Sequence, residues 1–475
     1  MQDADNQDFV DLKDKLFPFQ REDVERIIRI GAPSHLIAND MGTGKTYEAI
    51  VLDAHYRQEH PEGRTLVVAP LSTLSGWAKT YTELTGLRIC VINPKNRPRF
   101  LDYMKQDKYD VYILHWEALR LLQDDLKKKK WMHIIADEVH RAKNRKAKQT
   151  KALKQIKPKY RTAMSGTPVI NRPDEIWSIL HWMYPKDYTS YWRFYEQYVD
   201  YEIGYPGGYH IFRGTKNLDL LREEISKFMT RRTKAEVLPD LPDKYYTEKL
   251  IKLGSKQRKA YDAMRKEMIA WVGQNEDQPL VAPIVIARLM RLQQLALAYA
   301  EIDEEYEVAL SEPSAKLEAL RDIILDNPQK PLVVFTQFTK MIDLTVDYIE
   351  RTCAKEIGKK ARIERIDGGT KNRGQIIDDF QNGKINVLIM TIGAGGVGIT
   401  LTKADTVVFL DRSWSPAINL QAEDRLHRIG QENAVQVIDL IAEETVDRGR
   451  MQRLEQKWEI IKSLIDPELQ KENAN

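Results

Sequence analysis

Two cysteines, Cys90 and Cys353, are all that 475 residues contain, and they stand far apart. That scarcity excludes a zinc site built on a cysteine cluster, argues against a disulfide framework and suits a reducing compartment. No uninterrupted apolar run is long enough to span a bilayer, so no membrane role is expected. The opening "MQDADNQDFVDLKDK" is polar and acidic, unlike a signal or transit peptide. Charge of one sign is also scarce: Lys+Arg 73 against Asp+Glu 70 leaves a formal net charge of +3. Such a balance neither requires nor excludes a nucleic-acid partner, and any basic surface has to be local. No repeat of solenoid period is present.

What is present suits a soluble globular chain, at 42% hydrophobic and 30% charged residues. The length exceeds one ordinary core, so two or three domains are expected. Short runs rich in β-branched residues recur: "TLVVAP" from Thr65, "VYIL" from Val111, "HIIADE" from His133 and "RTAMSG" from Arg161. They return as "PLVVFT" from Pro331, "INVLIM" from Ile385, "TVVFLD" from Thr406 and "VQVIDLI" from Val435. Runs apolar on both faces read as buried strands of parallel sheets, and the helical-period segments between them predict α/β architecture. Residues 174–310 are charged, rich in helix formers and without strand-like runs, which predicts helical insertions and a connector. "SEPSAK" at 311–316 reads as the loop opening a second α/β unit.

"LIANDMGTGKT" (36–46) follows the start of a strand and precedes the helical "YEAIVLDAHY". Such a turn lets the backbone N–H groups of Met41, Gly42, Thr43 and Gly44 wrap phosphate oxygens. Lys45 can reach β- and γ-phosphates, and Thr46 can hold Mg²⁺. The strict pattern has glycine where Asn39 stands. "IIADEVH" (134–140) ends a strand in two carboxylates. Asp137 can bind Mg²⁺ through water, and Glu138 can polarise the water that attacks a γ-phosphate.

With these motifs in order, the chain resembles the second helicase superfamily, and within it the Swi/Snf-type ATPases, from about Leu16 to the mid-450s. "LFPFQ" resembles the segment whose glutamine, here Gln20, reads adenine. "ANDMGTGKT" resembles motif I, although relatives usually carry an acidic residue at the place of Asn39. "APLSTLSGWAKTY" (69–81), "ADEVHRAKN" (136–144) and "SGTPVIN" (165–171) resemble motifs Ia, II and III. "FMTRRTKAEVLPDLPDK" (228–244) is the most family-specific stretch of the first half. "VVFTQF" (333–338) resembles motif IV, and "GAGGVGITLTKADTVVFLDRSWSPAINLQAEDRLHRIGQ" (393–431) resembles motifs V and VI.

The resemblance implies two RecA-like lobes with ATP and Mg²⁺ bound between them. The expected division is a nucleotide-binding lobe over 1–240 with a helical protrusion at about 174–227, a helical connector over 241–310, and a second lobe over 311–475 ending in a helix. Gly396 and Gly398 are implied nucleotide contacts. If "NLQAEDRLHRIGQ" (419–431) is a helix, Gln421, Arg425 and Arg428 share one face. The resemblance makes Arg425 and Arg428 arginine fingers beside the γ-phosphate, with Gln421 orienting water or phosphate.

By motif position, Ser72, Thr73, Arg141, Lys143 and Asn144 of the first lobe, and Gln337, Thr391 and Trp414 of the second, are implied contacts to nucleic acid. The basic stretch 141–161 reads as an amphipathic helix beside that groove. The aromatic stretch 181–212 reads as packing of a small protrusion rather than as a base-stacking platform. The expected function is an ATP-dependent translocase on double-stranded DNA, gripping phosphates without sequence preference. The alternatives are a strand-separating or fork-remodelling helicase on branched DNA or RNA, and a nucleotide-gated binding protein with little turnover. With short inserts, the chain is expected to be a monomeric minimal motor targeted by a protein partner. The expected location is cytoplasmic, of prokaryotic or viral origin, or nuclear if eukaryotic.

Overall fold

The computed structural model describes residues 12–92, 97–169, 172–204, 208–274, 282–302, 308–357, 362–394 and 399–465. The first eleven residues of the polar opening, and the expected nucleotide contacts Gly396 and Gly398, lie outside the described residues. The chain divides into two compact units, Met1–Pro239 with Trp458–Asn475, and Asp240–Lys457.

The first unit is built on a wholly parallel sheet. Its strands are β1 (Ser34–Ile37), β2 (Thr65–Ala69), β3 (Ile89–Val91), β4 (Val111–His115), β5 (His133–Asp137) and β6 (Tyr160–Met164). After the hairpin of β7 (Val199–Gly204) and β8 (Tyr209–Thr215) comes the last, β9 (Met229–Thr230). The spatial order is β3-β4-β2-β5-β6-β1-β9. Alternate residues of one strand feed two cores. Leu66 and Val68 of β2 face a core with Trp116 and Leu119, while Val67 and Ala69 face another with Ile50, Trp77 and Tyr81. This is why β2 reads as a continuous apolar run rather than an alternating one.

The second unit repeats the plan. Its strands are β10 (Lys244–Ile251), the hairpin β11 (Tyr299–Ile302) and β12 (Val308–Ser311), then β13 (Leu332–Thr336), β14 (Ile363–Ile366), β15 (Val387–Thr391), β16 (Thr406–Phe409) and β17 (Val435–Ala442). The sheet order is β10-β17-β16-β13-β15-β14, again all parallel. Leu332 and Val334 face the helices Ala315–Asp326 and Thr339–Ile357; Val333 and Phe335 face Ile376, Phe380 and Ala422. Ser314, within "SEPSAK", accepts from the Leu317 amide at 3.2 Å and caps the first of these helices.

The expectation of a strandless region over 174–310 is corrected by two hairpins, by β9 and above all by β10. β10 pairs with β17 along its whole length, so part of the expected connector is an edge strand of the second sheet. Its sequence hides it. "KYYTEKLI" lies at an edge and leaves Tyr245, Tyr246 and Leu250 exposed, so polar residues replace the apolar run of a central strand. The aromatic stretch does pack. The Tyr188 and Tyr198 hydroxyls each donate to a different oxygen of Glu224 at 2.8 Å, and Tyr201 stacks on His210 at 4.1 Å between centroids. Among the described residues, no helix is long and apolar enough to cross a membrane.

A buried ion network fastens the helix Val446–Ile465 to the second sheet. The Lys316 ammonium donates to Asp447 Oδ2 and to the Leu410 carbonyl, both at 2.6 Å, and Arg450 bonds Asp447 and the Arg412 carbonyl. Burial opposes the charge on Asp447, but Lys316 and Arg450 outweigh it and hold its carboxyl below the usual range. Asp447→Ala leaves two buried cations without their shared carboxylate. It should destabilise this unit by about 3–5 kcal/mol, read as a lower urea midpoint. Arg448→Ala, one position on and exposed, should leave the midpoint near wild type.

Candidate active site and nucleic-acid interface

β1 ends at Ile37, and the chain turns through Asn39–Gly44 into the helix Lys45–Glu59. The turn needs left-handed backbone at Gly42 (φ 85°) and Gly44 (φ 83°), which glycine adopts without a steric penalty. Space demands the same of Gly44: a Cβ there would stand 2.5 Å from Gln20 Nε2. The Lys45 ammonium donates to the carbonyls of Asn39 and Asp40, both at 2.8 Å, and so folds over the loop it belongs to. Burial pulls its pKa below the ordinary value, against the attraction of Glu138, Asp137, Asp40 and Glu48.

Asn39 explains a departure from the family pattern. Its amide nitrogen donates to Asp23 Oδ2 at 3.0 Å and to Glu48 Oε1 at 3.1 Å, and all three residues are buried. Burial, then the nearby Asp23 carboxylate, pushes Glu48 up to about 8. An acidic residue at 39 would add a third carboxylate to this pair; the amide replaces that repulsion with hydrogen bonds.

Gln20, expected to read adenine, has both ends of its amide engaged. Oε1 accepts from the Phe17 amide at 2.9 Å, and Nε2 donates to the Thr43 carbonyl at 2.8 Å. It ties the helix Pro18–Ile30 to the loop.

Asp137 and Glu138 follow from β5, two strands from β1 in the sheet. The Trp77 indole donates to Asp137 Oδ2 at 2.9 Å and the Trp116 indole to its carbonyl at 2.9 Å. Burial, then the adjoining Glu138 carboxylate, pushes Asp137 up to about 6. Glu138 is held at φ 50°, a conformation that non-glycine residues seldom adopt. His140 Nδ1 lies 3.2 Å from Glu138 Oε2 and 3.0 Å from Ser165 Oγ, joining the acidic pair to the loop after β6. Gly166 lies against Met41, where a Cβ would stand 2.7 Å from Met41 Cγ. His140 was not singled out in the sequence, although it sits inside the acidic motif.

The stretch 228–244 acquires a physical role. β9 pairs with β1, and the Asp40 amide donates to the Arg232 carbonyl at 2.9 Å. Arg231 bonds the Ala38 carbonyl at 2.8 Å and Asp40 Oδ1 at 2.7 Å, and Arg232 bonds Asp23 Oδ1 at 3.1 Å. The Lys234 amide donates to Asp40 Oδ2 at 2.9 Å. Two arginines thus brace the phosphate loop from behind. Only the double arginine itself marks them in the sequence.

In the second unit the helical reading of "NLQAEDRLHRIGQ" is corrected. The helix Pro416–Glu423 stops with Asp424 as its cap; Gln421 lies in its last turn, while Arg425 and Arg428 follow it in turns. The reason is burial on every side. Residues 422–427 are all buried in succession, which a one-sided helix cannot achieve. Glu423 accepts from Lys244 at 3.0 Å, Tyr246 at 2.8 Å and Arg412 at 2.6 Å, and Arg412 grips both oxygens of Asp439. Burial resists the charge on Glu423, but Lys244 and Arg412 hold its carboxyl down at about 2. The Leu401 amide donates to the Arg425 carbonyl at 2.8 Å, and Arg428 Nη1 donates to the Ile399 carbonyl at 3.2 Å. Arg425 through its carbonyl and Arg428 through its guanidinium are thus each fastened to the 399–401 segment rather than ranged along one helical face.

The expected nucleic-acid contacts leave neighbouring strand ends. Ser72 (exposed) and Thr73, whose hydroxyl donates to Pro70 O at 2.9 Å, follow β2. Arg141, Lys143 and Asn144 follow β5; Arg141 pairs with Glu117 at 3.3 Å and Lys143 with Glu175 at 3.1 Å. In the second unit Gln337, Thr391 and Trp414 follow or end β13, β15 and β16, which are adjacent. Gln337 spends its amide on Asp411 and the Arg412 carbonyl, both at 2.7 Å, and Thr391 is buried, accepting from the Ala394 amide. These two side chains face inward bonds, unlike Ser72 and Arg141. The basic helix Lys148–Gln155 buries Thr150, Ala152 and Leu153 and exposes Lys148 and Lys151, as an amphipathic surface helix does.

The buried Asn39 cluster makes a reciprocal test. Asn39→Asp should weaken nucleotide binding by about tenfold, since one further buried like charge costs on the order of 1–3 kcal/mol. Adding Glu48→Gln should restore binding, because the amide then lies on the other partner. Titration with a fluorescent ATP analogue measures both; a double variant as weak as the single one refutes the account.

The chain matches the SNF2-related domain over residues 20–297 and the helicase conserved C-terminal domain over residues 315–430. An uncharacterised ATP-dependent helicase of Mycoplasma pneumoniae is 30% identical over 439 residues, 91% of this chain but 40% of its own length. Transcription regulatory protein SNF2 of Saccharomyces cerevisiae is 28% identical over 451 residues, 90% of this chain and 26% of its own. This chain therefore spans less than half the length of these relatives. The Sulfolobus solfataricus SWI2/SNF2 ATPase core in complex with dsDNA is 26% identical, with 95% of this chain and 97% of that one covered and a TM-score of 0.44. The first domain match alone takes in more than half the chain, from Gln20 through the phosphate loop and acidic pair to the bracing arginines, and the chain belongs to the SNF2-related family.

Proposed function

We propose that the chain is an ATP-dependent motor that translocates on double-stranded DNA, coupling hydrolysis to lobe closure and to remodelling of DNA or DNA–protein complexes. The observation that carries the reading is the Lys45 ammonium, held on the carbonyls of its own glycine turn and under the field of Asp137 and Glu138. A cation able to leave carbonyls for phosphate oxygens, facing an acidic pair at a strand end, is the apparatus of nucleotide hydrolysis.

The residues fit a nucleotide-borne Mg²⁺. Asp137 is pushed up to about 6 by burial first and then by the adjoining Glu138 carboxylate, and a divalent cation would favour the charged form against both. No group of three or more His, Cys, Asp or Glu that could hold a metal occurs among the described residues, so phosphates would complete the shell of Thr46 and Asp137. When bound, the ion neutralises phosphate charge. Glu138, oriented by its left-handed backbone and by His140, polarises the attacking water. The amides of Met41–Gly44 bind phosphate oxygens, and Gly396 and Gly398 are assigned nucleotide contacts by motif position. Arg425 and Arg428 offset the charge that develops on the transferred phosphoryl group, with Gln421 beside them.

The nucleic-acid partner is assigned to duplex DNA through Ser72, Thr73, Arg141, Lys143, Asn144, Gln337, Thr391 and Trp414. For Gln337 and Thr391, whose side chains are already bonded, contact through the backbone of their loops is the simpler assignment. The motor is further proposed to act as a monomer directed by a protein partner, in the cytoplasm if its source is prokaryotic or viral and in the nucleus if eukaryotic.

Glu138→Gln should retain ATP binding and lose most turnover, trapping a DNA-bound state. Arg425→Ala and Arg428→Ala should each lower hydrolysis by about 10³-fold, as loss of an arginine finger does, with nucleotide-free DNA affinity little changed. An arginine variant that hydrolyses normally but releases DNA would move that side chain to the DNA groove.

Hydrolysis should be stimulated more by duplex DNA than by single strands or RNA. With ATP, the protein should displace the third strand of a triplex without separating the duplex beneath. Efficient unwinding of a tailed duplex without triplex displacement would make the strand-separating reading the better one, and absence of turnover on any of these would leave the nucleotide-gated binder.

A further inference from the structure

Two sets of bonds, each internal to one unit, are made by a single short stretch of chain. At its start, Arg231 bonds Ala38 O and Asp40, Arg232 bonds Asp23, and the Lys234 amide bonds Asp40. All of these hold the phosphate loop or the helix behind it. Thr233 then caps the helical turn Lys234–Val237, and the Leu238 amide closes it on the Lys234 carbonyl at 2.8 Å. At the far end, the Pro242 carbonyl accepts from His427 Nε2 at 2.7 Å, and the Asp243 carbonyl accepts from the Val435 amide at 2.9 Å. The Lys244 ammonium sits 3.0 Å from Glu423 Oε2 and 3.5 Å from Asp424 Oδ1. Glu423, Asp424 and His427 flank Arg425 on both sides and adjoin Arg428.

Residues 239–241 alone separate the two fastenings. From Leu238 to Pro242 the chain reaches roughly 14 Å at full extension. Pro239 and Pro242 each lock φ and bias the residue before them towards extended backbone, so the span has few ways to fold up.

We propose that Arg231–Lys244 is a coupling strap, bolted to the phosphate loop by Arg231 and Arg232 and to the arginine turn by Lys244, with 239–241 as its only slack. The proposal rests on the motor reading above and adds a positioning role to residues that touch neither nucleotide nor DNA in that reading. A short strap with few ways to fold up bounds how far the phosphate loop and the turn that carries Arg425 and Arg428 can move apart. Lys244 is the far bolt: its charge is matched by Glu423 and Asp424, so the turn follows the strap rather than sliding along it.

The test lengthens the slack without removing a side chain. Gly-Ser-Gly inserted between Pro239 and Asp240, both exposed, should leave thermal unfolding unchanged, since exposed linkers tolerate insertion. It should lower kcat by about tenfold with nucleotide affinity within about twofold, the pattern of an interaction needed only for the chemical step. Lys244→Met should lower kcat similarly, with a loss of thermal stability because the buried Glu423 and Asp424 lose their cation, and Lys244→Arg should recover most of the rate.

Hydrogen exchange supplies a second readout. Nucleotide binding should slow exchange at 423–428 in the parent protein and lose that effect in the insertion variant. Equal slowing in both, or wild-type kcat after insertion, overturns the strap. A parent protein that fails to hydrolyse ATP counts against the motor reading alone, because the exchange comparison still decides the strap.

Discussion

Parallel pairing is the constraint on which both units depend. In a parallel sheet every strand runs the same way, so all carboxyl ends lie along one edge and the loops that leave them gather there. The phosphate loop leaves β1, motif Ia leaves β2, the acidic pair leaves β5, Ser165 follows β6 and the bracing arginines follow β9, all in one sheet. Motifs spread over about two hundred residues of sequence become neighbours through backbone hydrogen bonding alone. The second sheet does the same for Gln337, Thr391 and Trp414.

Burial is the other side of that arrangement. Strands covered on both faces leave no solvent for charges at the sheet edge, so the charged residues there must be satisfied by one another. The second unit shows two such networks, Lys316–Asp447–Arg450 and Lys244–Glu423–Arg412–Asp439. In the first unit Asn39 lies between Asp23 and Glu48, and Arg231 and Arg232 answer Asp40 and Asp23. Some of these groups border residues of the proposed chemistry: Glu423 stands two positions before Arg425, and Asn39 and Asp40 carry the carbonyls on which Lys45 rests. Fixed partners hold those residues in place before substrate arrives, which is the form of preorganisation that catalysis by charge requires.

Eight central strands were legible because apolar residues dominate each run, with few polar interruptions such as Arg161 in β6 and Gln436 in β17, a pattern that burial on both faces imposes. β10 was not, since an edge strand shows one side to water and its side chains are chosen for solubility and local pairing. The phosphate loop and acidic pair were legible because their chemistry needs particular residues at particular spacing. The bracing arginines, His140 and Lys244 carried no such signature: an arginine or lysine on a surface and one clamped on a carboxylate look alike in sequence. The arginine turn misled for a related reason. Its spacing allows a helical face, and only the burial of residues 422–427 in succession rules that out.

The amino-acid sequence by itself determined the α/β class, the central strands, the glycine turn with Lys45 and Thr46, and the carboxylates Asp137 and Glu138. Those properties are local, set by side-chain size, polarity and backbone freedom within a few residues. Tertiary structure decided which distant charges meet: Asn39 with Asp23 and Glu48, Arg231 with Asp40, Lys244 with Glu423. It also decided where the helix before Arg425 ends. Such pairings depend on strand order and on the loss of solvent, neither of which a linear sequence displays.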